Sequence, residues 1–261
     1  MVFSPFFHSS FLFFLLLLQS MLTKTRAIVL HSIKYGEQQL IVDMLTAELG
    51  RQSFICRMPT TQRGKLKKQL FQPLTMLELE ADIRPQGGLQ RLRDVRMSTP
   101  FSSIPFDARK LSIALFLAEF LLHVSRGEQR DGALFSYVEQ SLQWLDGSTG
   151  GFANFHLVFM MRLSRFVGFF PNLDGYCQGA VFDLRDGVFC SSPPQHSDFV
   201  EPKEASLIGL LMRINYETMH LVRMSRLERN RATELILAYY RLHIPDFPEL
   251  RSVAVLKELS A

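Results

Sequence analysis

The sequence predicts an α+β protein: a small closed barrel of about five strands, followed by a mostly helical domain that carries a small inserted β-ribbon. Three observations predict it. Between Thr25 and Glu80 the apolar residues fall in short runs rich in β-branched types, and after Pro100 they recur at helical spacing. Within the helical stretch, one Asp-Gly pair stands between two short apolar runs.

The strand runs cover residues 27–30, 40–45, 54–56 and 74–81, with alternation clearest in the last. They are broken at 34–37, 48–51, 58–68 and 85–88, each holding the Gly or Pro that a turn needs. No long amphipathic helix lies between them, which favours a barrel over a doubly wound sheet. From residue 107 to 124, Leu111, Ala114, Leu115, Ala118, Phe120, Leu121 and Leu122 recur at helical spacing. Further helices are expected over 132–145, 154–167, 202–216 and 229–242. The β-ribbon is expected near 176–192, turning at Arg185-Asp186-Gly187. Residues 98–106, rich in Ser and Pro, read as a linker between a domain over 21–97 and a domain over 107–261.

Residues 1–20 are an apolar leader, with FLFFLLLL at 11–18. No Lys or Arg precedes that run, no small-residue cleavage site follows, and it is far shorter than a membrane span of roughly 20 residues. Met21 stands directly before the first strand pattern, so the native fold is expected to begin there. Three widely spaced cysteines, Cys56, Cys177 and Cys190, describe no disulfide framework and fit a reducing cytoplasm.

The net charge of +4 is mild but uneven. Residues 21–97 hold thirteen Lys and Arg against seven Asp and Glu, while the rest of the chain holds sixteen against eighteen. The first third is therefore where a polyanion would bind. Arg57, Arg63, Lys65, Lys67 and Lys68 fall on one Pro- and Gly-containing loop between two strands. On a small barrel such loops flank the face that tracks a nucleic-acid backbone, where cations neutralise phosphates and aromatics stack on bases. Tyr35, Phe54 and Phe71 are the aromatics near enough to stack; the plainer reading places Phe54 and Phe71 in the core. A second basic cluster, Arg91, Arg93 and Arg96, is expected to extend the same track, and Lys24 and Arg26 are further candidates. In the helical domain Arg162, Arg165, Arg223, Arg226, Arg229 and Arg231 are candidates for continuing the path or for binding an acidic protein tail.

Enzyme signatures are missing. Gly64-Lys65 lacks the earlier Gly and the following Ser or Thr of a phosphate loop, and no H-E-x-x-H, G-x-S-x-G or Gly-rich dinucleotide turn occurs. His123, His156 and His220 sit in apolar helical patterns and read as structural. Cys177, Cys190 and His196 lie around the ribbon, but without a C-x-x-C pair or a good fourth ligand no zinc site, and no cofactor, is expected.

The ordered set Ala27-Ile28-Val29-Leu30, Lys34-Tyr35-Gly36-Glu37, Ile41-Val42, Leu45-Thr46, Leu49-Gly50-Arg51, Leu70-Phe71-Gln72-Pro73-Leu74 and Leu77-Glu78-Leu79-Glu80 resembles the bacterial recombination mediator family RecO. The resemblance runs from Met21 to about Glu258. It implies an N-terminal OB-fold, a helical C-terminal domain, and binding and annealing of single- and double-stranded DNA. It also implies partnership with RecR and with the single-strand-binding protein, so that RecA is loaded on coated DNA in recombinational repair. Many members carry four zinc cysteines in the ribbon, and here only Cys177 and Cys190 remain.

The expected function is thus a non-enzymatic, cytoplasmic DNA-binding mediator, with Arg57, Arg63, Lys65, Lys67 and Lys68 as first contacts and Lys24, Arg26, Arg91 and Arg93 as second. A protein-interaction adaptor with incidental DNA contact is the rival, distinguished by weak DNA binding indifferent to strand state. A secreted or membrane-attached protein rests on the leader alone.

Overall fold

The computed structural model describes residues 21–58, 68–84, 87–125 and 130–259. The leader and Arg63, Lys65 and Lys67 lie outside them. Two compact units are present: the chain up to Pro100 with Ser125–Phe135, and Phe101–Val124 with Ser136 onward.

The first unit is a closed barrel of β1 (Met21–Tyr35), β2 (Gln39–Thr46), β3 (Gly50–Arg57), β4 (Met76–Ile83) and β5 (Leu89–Thr99), in the order β1-β2-β3-β5-β4. Every pair is antiparallel except β3 with β5, which is parallel and closes the barrel. This is an OB-fold. Val29, Val42, Met44, Phe54, Cys56, Phe71, Leu77 and Leu79 fill its interior. One irregularity interrupts the alternation of β1. Val29 opposes Met44 and His31 opposes Asp43, so β1 carries one more residue than β2 across this step. Ala27 and Val29 therefore point inward, whereas His31, Ile33 and Tyr35 point outward.

β5 corrects the expected boundary, because Ser98 and Thr99, read from sequence as linker, complete the strand. Residues 102–104 are likewise held in place: Asp146 accepts hydrogen bonds from the backbone N–H groups of Ser102, Ser103 and Ile104 at 2.8–2.9 Å. Burial pushes the Asp146 carboxyl up, but these donors hold it down to about 2.

The second unit contains α1 (Ala108–Val124), the remainder of α2 (Gly132–Gly147), α3 (Phe155–Leu163), α4 (Pro202–Arg213), α5 (Arg226–His243) and α6 (Ser252–Leu259). α3 is buried on nearly every side and packs on α4 and α5, while α1 packs on α6. Asp107 caps α1, its Oδ1 accepting from the Arg109 N–H at 2.8 Å. α5 begins three residues earlier than the apolar spacing suggested, because Ser225 and Glu228 form a capping box. The ribbon is present as β6 (Val181–Asp183) and β7 (Val188–Cys190), with β8 (Phe199–Val200) added on the free edge of β6. Gly187 takes φ +67° in the turn and leaves room for the Tyr239 hydroxyl, which a Cβ would approach to 2.6 Å.

Candidate nucleic-acid interface

Cross-strand register places the outward residues of β1, β2, β3 and β5 in rows. Tyr35 opposes Gln39, which opposes Arg57. In the next row Ile33 opposes Ile41, Ile41 opposes Ile55, and Ile55 opposes Arg91 across the parallel closure. Opposed residues share a face, and the alternating partners Leu40, Val42, Phe54, Cys56 and Leu92 fill the core, so both rows face outward. A third row is polar: Ser53 Oγ donates to Asp43 at 2.5 Å, and His31 lies 3.7 Å from the same carboxylate.

The first row and the Ile55–Arg91 end of the second form a groove of about 570 Å³ lined by Tyr35, Glu37, Gln39, Ile55, Arg57 and Arg91 among others, and Ile41 and Ile33 continue the second row beside it. Gly36, at φ +63°, makes the β1–β2 turn at its rim, a conformation that a side chain with a Cβ adopts at a cost. Arg57 and Arg91 are exposed, and among the described residues neither forms an ion pair. Their guanidinium groups are thus available to an anion, with Glu37 the one acidic residue lining the groove among the described residues.

The face around β4 is different. Glu78, Glu80 and Asp82 alternate outward along β4, and cations on the flanking strands meet them. Lys24 Nζ lies 2.6 Å from Glu80, Arg93 Nε lies 2.6 Å from Asp82, and Arg96 pairs with Glu78, which raises the Arg96 pKa. A second groove, of about 470 Å³, runs here among Lys24, Arg26, Glu48, Glu78, Glu80 and Arg96. Arg26 lies over the Phe135 ring at 5.1 Å, and Glu48 pairs with Arg130 at 2.8 Å.

The sequence-selected residues are therefore divided. Arg57 and Arg91 come together on the open groove, Lys24 and Arg93 are ion-paired on the β4 side, and Arg26 rests against Phe135. Lys68 is exposed just past the basic loop. Phe54 and Phe71 are corrected as stacking candidates, since both are buried in the barrel core; Tyr35, 54% exposed, is the one that faces solvent. Ile33, Ile41 and Ile55 escaped notice because isoleucines in strands read as core, and only the register shows that they face out.

The comparisons with known proteins agree with this architecture. Residues 21–101 match the family model described as Recombination protein O N terminal, and residues 105–252 match Recombination protein O C terminal. The chain belongs to the RecO family. Among curated relatives it is similar to the DNA repair protein RecO of Phocaeicola vulgatus, at 52% identity over 239 residues, covering 92% of this chain and 99% of that one. The RecO of Bacteroides fragilis is 51% identical over 240 residues, covering 92% and 99%. That of Azobacteroides pseudotrichonymphae is 37% identical over 236 residues, covering 90% and 98%.

Within this RecO chain, the helical unit's arginines mostly serve the fold. Arg229 is buried, donating to Asn154 Oδ1 and the Met224 carbonyl at 3.1 Å each, so it is withdrawn as a surface contact. Arg162 is half-buried and reaches the Ile214 carbonyl, Arg226 the Lys257 carbonyl, and Arg231 pairs with Glu204. Arg165 lies over the Phe170 ring at 4.0 Å, and Arg223 is exposed. His156 is fully enclosed beside Arg229, its Nε2 3.1 Å from Thr233 Oγ1, and burial together with the Arg229 charge pulls its pKa down to about 3.

The donor set at the ribbon does not fit a four-coordinate zinc ion. Among the described residues no three His, Cys, Asp or Glu side chains converge, and His196 instead meets Asp183 at 3.1 Å. No helix among the described residues is long and apolar enough to cross a membrane.

Proposed function

We propose that this RecO-family DNA repair protein binds single-stranded DNA through the β1–β2–β3–β5 face of its barrel and anneals complementary strands. The observation that carries the proposal is the placement of Arg57 and Arg91, two exposed guanidinium groups without an ion-pair partner among the described residues, on one groove beside an exposed tyrosine. Phosphates neutralised there release counterions, which gives affinity without base sequence and makes it salt-dependent. The basic residues that follow Arg57 in sequence, Arg63, Lys65, Lys67 and Lys68, extend the cationic track. Lys24, Arg26 and Arg93 contribute less, because each already has a neighbour within the barrel unit.

Annealing on this scheme needs no catalytic group. Cations shared by two strands lower the repulsion between them, and base pairing supplies the rest. In the cell the protein acts in the cytoplasm on nucleoid DNA, with RecR and the single-strand-binding protein, to let RecA load on coated strands. The test is a strand-annealing assay with complementary oligonucleotides, with and without single-strand-binding protein. Acceleration that survives the coating protein is expected. DNA binding that is weak and indifferent to strand state, with no acceleration, would replace the proposal with an adaptor role.

A further inference from the structure

We infer that the groove holds one unpaired nucleobase, stacked on Tyr35 over the isoleucine row, with Arg57 and Arg91 taking the phosphates that flank it. The inference rests on the DNA-binding proposal and goes beyond it by assigning a base-binding site.

Tyr35 and Arg57 stand two strands apart in one row, about 10 Å from backbone to backbone. Arg91 stands one row back on β5, about 7 Å along the strand direction. Ile55, half-buried, lines the groove between the arginines and the ring, and its row continues beside the groove through Ile41, half-buried, to Ile33, 45% exposed. An apolar floor with an aromatic at one end and two cations at the other is an unusual exterior for a barrel strand. Such strands ordinarily alternate hydrophobic-in and polar-out. A base provides an apolar face for the floor and the ring, and its sugar-phosphate backbone provides the negative charge for the arginines.

A groove of about 570 Å³ has room for a nucleotide but is far too small for a duplex. Bases in a duplex are already stacked on their neighbours and cannot reach Tyr35 without being extruded. The ring therefore favours single strands over double strands, whereas the two arginines alone favour neither.

The test measures binding of three probes by fluorescence anisotropy: a short oligothymidylate, the same backbone carrying abasic sites, and a duplex. Tyr35→Ala should weaken oligothymidylate binding about tenfold, in the range of one base–aromatic stack, and leave the abasic strand and the duplex unchanged. Tyr35→Phe should restore binding. Tyr35 is exposed at a strand end, so the variants fold, which thermal unfolding verifies. Equal loss on the abasic and the base-bearing strand, or no loss on either, would overturn the stacking assignment. Arg57→Ala with Arg91→Ala separates this failure from failure of the DNA-binding proposal: loss on all three probes keeps that proposal when stacking fails, and no loss on any probe removes both.

Discussion

The arginines of the barrel and those of the helical unit share one chemistry and have opposite surroundings. Arg57 and Arg91 project from a sheet whose interior is filled by other residues, so folding asks nothing of their charge. Arg229, Arg162 and Arg226 direct their guanidinium groups at an amide oxygen or backbone carbonyls that would otherwise lose a donor. The barrel repeats the contrast on a smaller scale, since the β4 carboxylates engage Lys24, Arg93 and Arg96 while the other groove leaves Arg57 and Arg91 without an ion pair among the described residues. Where a cation's partners are supplied by the fold, its loss is a stability effect; where they are not, its loss is a binding effect.

The strongest challenge to that distinction is Arg229→Ala. Removing the side chain strips a buried Asn154 and the Met224 carbonyl of their donor, and destabilisation of about 3 kcal/mol is expected in urea unfolding. Affinity of the folded protein for DNA should stay the same.

Acid provides the next largest effect. His156 titrates near 3 when folded and near its ordinary 6.5 when unfolded, so the unfolded chain binds the additional proton. Its contribution is fully present above about pH 6.5 and is lost as the pH falls toward 3. Between pH 7 and pH 5 this amounts to about 2 kcal/mol, to be read as a drop in the urea midpoint that His156→Gln diminishes.

On the open groove, Arg57→Ala with Arg91→Ala should weaken single-strand binding about tenfold, equivalent to about 1.4 kcal/mol. The slope of log affinity against log salt should fall by about 1.4, with thermal stability unchanged. An altered melting temperature with an unaltered salt slope would put these arginines with Arg229.

The smallest effect comes from the paired face. Glu80→Gln with Asp82→Asn releases Lys24 and Arg93, and single-strand affinity should rise a few-fold at low salt. Stability should change by less than about 1 kcal/mol, as usual for exposed ion pairs.

Much of the barrel was legible because short apolar runs mark β1 to β4 and Gly or Pro marks their turns. β5 was not, since Arg91, Arg93, Asp94 and Arg96 outnumber its inward residues and its pattern resembles a charged linker. That gap hid the pairing of Ile55 with Arg91, and with it the groove, because a parallel contact between strands distant in sequence leaves no local trace. The start of α5 did leave one: Ser225-Arg226-Leu227-Glu228 carries the capping-box spacing, while apolar periodicity alone begins at Arg229. The separation of open from occupied cations was illegible, since Lys24 and Arg57 differ only in which strand lies beside them.

The additional residue in β1 gives this surface a particular vulnerability. Side chains past Val29 owe their outward aim to a count of residues rather than to their own polarity, since unbroken alternation would carry Ile33 and Tyr35 inside. Removing Leu30 would take out the additional residue and restore one-to-one pairing with β2, leaving Ile33 and Tyr35 outward, whereas adding a residue between His31 and Ile33 with the bulge retained would carry both inside. Substitutions along this stretch alter the surface one side chain at a time; a single-codon insertion past the bulge would turn the β1 side of it over at once.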